Sequence, residues 1–353
     1  MIISRLLGAT MLSAALALSA CSPLNPNKSG EEGSAAEPHG FIDGAEELSE
    51  PHSAIAYTTR GARTLHLLDL TTTATTDLTL THPVETLIED GRFLYTTDGD
   101  RTLEITDAGV WTVDHTDHVH YYRASARTLG TLTLAAKITT IAGNDAHTTI
   151  TTAGGRLTVL DRRALETGTI TELPAGAFQA PCETPGESVV LRGGTLTACQ
   201  DHWVRVKHTT TGSEAEVLRG PGGKVPSSPF GSRPRSNEAA QFDSTGIWSL
   251  NAPKATVQHV PAANLIAAAS PADGKSVLAL DRSGTLRSYD LKTGDVLAEA
   301  KVPGTSLTLD INRAYVADPD ARVIHEIDYR DNLRTARTLT VEQRPDLAVE
   351  VGR

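Results

Sequence analysis

The stretch Asp114-His115-Thr116-Asp117-His118-Val119-His120-Tyr121-Tyr122 holds three of the chain's 12 histidines, with two aspartates interleaved. Imidazole is the side chain most often used to bind zinc or copper near neutral pH. Residues two apart on a strand point to the same face, so His118 and His120 can converge on one ion. His115 reaches the same ion only if the chain turns near Thr116-Asp117. A helix does not fit, because this spacing would put His118 and His120 on different faces. Asp114 and Asp117 are placed to accept the second ring N–H of a ligating histidine, which sets its tautomer and orientation. The competing reading is an exposed polar loop that is merely rich in histidine.

The elements that must carry this segment recur along the chain. Short β-type runs end near an Asp or Asn and are followed by a turn, at residues 64–69, 102–107, 156–161, 246–251, 285–290 and 322–328, with a degenerate copy at 202–207. Separations that mostly fall near 40 residues match one four-stranded propeller blade. The expectation is an all-β chain: a β-propeller of seven four-stranded blades. The first blade lacks an inner strand, because the preceding segment runs directly into residues 54–57. The last apolar run, residues 346–351, is predicted to fill that place and close the ring, which removes an open sheet edge. The spacing widens by about 16 residues near 110–127, where the histidines fall, and loops added to rigid scaffolds tend to carry function. A second surplus near 220–238 is rich in Gly, Pro and Ser and holds Lys224, Arg233 and Arg235. It reads as a mobile loop, with partner docking as one use.

The N-terminus reads as an address. Arg5 precedes an apolar run over residues 6–18 that is too short to span a bilayer, so residues 1–20 are set aside as a signal peptide. Leu18-Ser19-Ala20-Cys21 resembles a bacterial lipobox, which implies lipidation of Cys21 as the first mature residue. Residues 21–50 then form the lipidated cysteine and a flexible tether poor in aliphatic side chains. Residues 51–353 form the propeller. The expected location is the extracytoplasmic face of the cell membrane, touched through the lipid anchor only. Export favours a disulfide between Cys182 and Cys199. They fall at the same end of a hairpin built from residues 187–191 and 195–199, and closing that loop would contribute roughly 3 kcal/mol. A formal net charge of −11 argues against nucleic acid as a partner.

The segment from Gly109 through Arg123 resembles the signature of AztD-type zinc metallochaperones. So do Glu37-Pro38-His39-Gly40-Phe41-Ile42-Asp43-Gly44-Ala45-Glu46-Glu47 and the ending Val349-Glu350-Val351-Gly352-Arg353. The resemblance implies an exported propeller that binds zinc and delivers it to the solute-binding protein of a zinc ABC importer. It makes His115, His118 and His120 metal-site candidates, with His39 as an additional ligand. His147, at the start of a blade-three strand, could complete the site, although a lone strand histidine is more often structural. Relatives of this type carry a histidine shortly after the first disulfide cysteine. Here Cys182-Glu183-Thr184-Pro185-Gly186-Glu187 has none, which puts a second metal site there in question. The ion is set by the resemblance, since copper and nickel also compete well for nitrogen ligands. The alternative function is a surface-anchored propeller that binds protein or glycan without metal transfer. There is no GxSxG, no HExxH and no thiol left after pairing, so the chain is not expected to be an enzyme.

Overall fold

Asp and Asn at the ends of the repeated runs turn the chain. Asp69 Oδ1 accepts the backbone N–H groups of Thr71 and Thr72, and Asp290 Oδ1 accepts those of Lys292 and Thr293. Asp161, Asn251 and Asp328 do the same two or three residues on. A short acceptor side chain thus satisfies donors that the ending ladder leaves open. In these five blades the periodic Asp or Asn pins the turn that follows the third strand.

The computed structural model describes residues 44–114, 118–174, 182–209 and 212–352. Six antiparallel four-stranded sheets and one three-stranded sheet succeed one another as blades. Blade two, for instance, comprises Thr86–Glu89, Phe93–Thr97, Thr102–Asp107 and Arg127–Thr133 from the inside outward. The inner strands follow one another around a cavity of about 830 Å³ that every blade helps to line. Apolar clusters fill the junctions between blades. Leu65 and Leu67 meet Leu87 and Leu94 between blades one and two, and Phe93 and Ile105 meet Ile150 and Leu160 between two and three. The core of this fold therefore lies between sheets, which is why blade strands alternate apolar residues on both faces.

The ring closes as the sequence predicts. Leu347–Val351 pairs antiparallel with Ala54–Thr58 as the inner strand of blade one. Gly352 follows with φ +108°, and a Cβ there would come within 2.3 Å of the His52 carbonyl oxygen, so the position admits only glycine. Cys182 and Cys199 form a disulfide with a Cα–Cα distance of 5.6 Å, at the open end of the hairpin Ser188–Leu191 and Gly194–Ala198.

Three features differ from expectation. Blade five has three full strands, Glu238–Asp243, Gly246–Asn251 and Thr256–Pro261. Its inner place is taken by a single bridge from Gly231 to Ala240, while Ser232 bridges to Ser270 of blade six. The surplus near 220–238 is therefore in large part the inner edge of a blade. Its Gly, Pro and Ser composition hides a strand that makes two bridges only. Finally, Glu46–Leu48, within the segment expected as tether, is a strand paired with Val119–Arg123. Its partner lies too far along the sequence for local composition to reveal it.

Candidate functional site

The histidine segment is a hairpin that leaves blade two between its third and fourth strands. Its root is fixed first. Gly109 has φ +73°, and a Cβ there would lie 2.4 Å from the Ala124 carbonyl oxygen, while Ala124 N–H donates to Gly109 O at 2.7 Å. The strands Val110–Asp114 and Val119–Arg123 then pair with Trp111 opposite Tyr122 and Val113 opposite His120. Trp111 stacks on Tyr122, with ring centroids 5.4 Å apart. The Arg92 guanidinium covers Trp111 at 3.8 Å and is itself held by the buried Asp107 carboxylate through bonds of 3.1 and 2.7 Å. A buried arginine, paired twice with one carboxylate, thus ties the hairpin to the blade from which it springs.

Strand alternation divides the hairpin into two faces. Thr112 and Asp114 line the central cavity. Trp111, Val113, His118, His120 and Tyr122 therefore occupy the opposite face. On it the His118 and His120 rings stand edge to face, with centroids 4.8 Å apart, and His120 is 6.1 Å from Tyr122 in a stacked arrangement. The two histidines are side by side, as their spacing requires.

A third strand completes this face. Glu46–Leu48 adds to Val119–Arg123 with Glu47 opposite Tyr122. Glu47 Oε1 lies 2.6 Å from His120 Nδ1. An ionised carboxylate only accepts, so a neutral His120 in this contact has its proton on Nδ1 and its lone pair on Nε2. That is the tautomer a metal-binding imidazole needs, with a carboxylate behind it to support positive charge on the ring. Burial raises the Tyr122 phenol above its ordinary pKa, and the Glu47 charge adds to the effect. Glu47 was not singled out by sequence reasoning. The only signal was its place inside the stretch 37–47 that carries the family resemblance.

The other candidates are placed as follows. Asp114 Oδ2 lies 3.3 Å from both Arg192 Nη2 and Arg235 Nη1, so this carboxylate joins the hairpin to the rims of blades four and five. Partly exposed pairs of this kind contribute about 1 kcal/mol or less each. His147 begins the strand His147–Thr152, donates its backbone N–H to Asn144 Oδ1 at 2.9 Å and has Nε2 3.4 Å from Asn144 Nδ2. His115, Asp117, His39 and Cys21 lie outside the described residues. Among the described residues no group of three or more His, Cys, Asp or Glu side chains is gathered as a metal site. His118 and His120 place two imidazoles side by side. A zinc-type set of three would need a further donor, for which His115 has the right position in sequence.

Three further histidines are absorbed by blade packing. His66 stacks on Tyr57 and bonds Asp77 at 2.7 Å, His52 bonds Asp69 at 2.9 Å, and His259 packs on Trp248. No helix among the described residues is long and apolar enough to cross a membrane.

No protein-family model matches this sequence, and no curated protein matches it. Solved structures do match the fold. Two structures of AztD from Citrobacter koseri, one of them apo, align with TM-scores of 0.68 and 0.67 at 14% identity, each over 86% of this chain and 98% of theirs. The dihydro-heme d1 dehydrogenase NirN in complex with DHE aligns with a TM-score of 0.50 at 13% identity, over 82% of this chain and 63% of its own. These likenesses establish an AztD-like propeller fold. A dehydrogenase among them is a reminder that the propeller by itself selects no activity.

Proposed function

We propose that this protein is an extracytoplasmic zinc-binding metallochaperone that hands its ion to the solute-binding protein of a zinc ABC importer. The observation that carries the reading is the adjacent His118–His120 pair, with Glu47 Oε1 2.6 Å behind His120 Nδ1. The sequence resemblance and the AztD-like fold support the same assignment. Zinc is cargo here. The hairpin stands on a stiff ring, and two or three imidazoles with an open position bind tightly yet exchange by ligand replacement, whereas a closed four-ligand site releases slowly. His118, His120 and His115 are the ligands, with His39 and His147 as further candidates. Asp114 and Asp117 flank them. Cys21 anchors the chain through lipid, and the segment after it lets the ring approach its acceptor.

The test is titration of the mature chain with zinc against a competing chelator, beside the double variant His118→Ala/His120→Ala. Loss of at least a hundredfold in affinity is expected. Unchanged affinity would remove the assignment. Because ligating imidazoles must be neutral, affinity should also fall on acidification.

A further inference from the structure

Two arginines meet at the rim of the central channel. Arg192 sits in the turn between Ser188–Leu191 and Gly194–Ala198 of blade four, and Arg235 in the segment leading to Glu238–Asp243 of blade five. Both line the cavity. Both reach the same atom, Asp114 Oδ2, each at 3.3 Å. Arg235 has φ 53°, a left-handed conformation rare for a side-chain-bearing residue. Such backbone persists where the surroundings over-determine it, and it clusters at ligand clamps. The Arg192 side chain keeps 59% of its surface exposed, so an incoming group can reach it.

The basic groups of the lining gather on the walls of blades four and five. Of the other acids lining the cavity, Glu89 and Asp90 belong to blade two and Asp145 to blade three, Asp90 is paired with Arg162, and burial raises the Glu187 carboxyl above its ordinary range. Arg233 adds a third guanidinium to the same wall. A guanidinium fork matches a planar carboxylate, and the group now lying between the forks is a carboxylate. The cavity volume of about 830 Å³ is that of a small-molecule site.

We infer that the channel rim binds a small organic carboxylate between Arg192 and Arg235, and that Asp114 is its intramolecular stand-in. A ligand that takes this place displaces Asp114 and loosens the histidine hairpin from blades four and five. The site stands whether or not the hairpin carries metal.

Isothermal titration of the mature chain with succinate and with citrate tests it, with phosphate in parallel. Saturable binding at one site is expected. Arg192→Lys/Arg235→Lys keeps the charge and the fold but removes the forks, and should weaken binding at least tenfold. Asp114→Asn should tighten it about three- to tenfold, because the internal competitor loses its charge; a merely structural latch would not predict this. Binding indifferent to the lysine variant, or none to either wild type or Asp114→Asn, would overturn the site. Phosphate binding as tightly as succinate would overturn the carboxylate assignment.

Discussion

Replacing Glu47 separates a carboxylate that orients a ligand from one that only decorates a strand. Glu47 Oε1 lies 2.6 Å from His120 Nδ1. When Nε2 donates to a metal, the ring gains positive character and the carboxylate behind it stabilises that charge. Partners of this kind contribute about 10–100-fold in affinity. Here the Glu47 side chain is 43% exposed and that of His120 21%, so solvent screens the interaction and the low end applies. Glu47→Ala should weaken zinc binding about tenfold, or about 1.4 kcal/mol. Glu47→Gln keeps an oxygen that accepts from Nδ1–H and should lose only about three- to fivefold, with that smaller gap closing as salt screens the charge. Glu46 supplies the control. It is next in sequence, on the opposite face, and pairs with Arg123 at 2.7 Å, so Glu46→Gln should leave affinity unchanged. The assay is chelator competition at two salt concentrations. If Glu47→Ala bound zinc within twofold of wild type while His120→Ala lost it, the orienting role would be refuted and the metal site would stand. If both were indifferent, the metal reading itself would fall.

Other consequences concern stability. Burial would raise the Asp281 carboxyl, but hydrogen bonds from Ser283 and Arg287 outweigh it and hold the group at about 2. A depressed folded value means stability that is fully present above the ordinary carboxylate range and lost as pH falls toward 2. In denaturant titrations Asp281→Asn should therefore cost about 2 kcal/mol at pH 7 and close to nothing near pH 2. Cys182→Ala/Cys199→Ala should cost roughly 3 kcal/mol for a closed loop of this size, read as a lowered unfolding midpoint that reductant reproduces in the wild type. Gly352→Ala forces a Cβ against the His52 carbonyl at the ring closure. It should destabilise by about 2 kcal/mol or more, with proteolysis near the C-terminus as the sensitive readout.

Much of the architecture was legible along the chain, because it rests on short-range rules. The repeated Asp or Asn marks turns through bonds to residues two or three on, alternation marks strands, and the unpaired run at 346–351 had one vacant place to go. The cysteines fell at one end of a hairpin whose turn Arg192-Gly193-Gly194 is local. The pairing of His118 with His120 followed from strand periodicity alone.

What the linear order left open was every contact set by where blades meet. Glu47 reaches His120 from 73 residues away, because a third strand adds to the hairpin. Asp114, expected as a partner for a neighbouring histidine, also faces the channel, where Arg192 arrives from 78 residues away. The inner edge of blade five read as a loop, since two bridges to other segments carry no local signature. The sequence by itself determined the all-β blade plan, the ring closure and the histidine pair, through periodicity and side-chain chemistry. Only the tertiary structure decided which face of the hairpin looks into the channel and which charged groups gather there, because those depend on closing a ring around one axis.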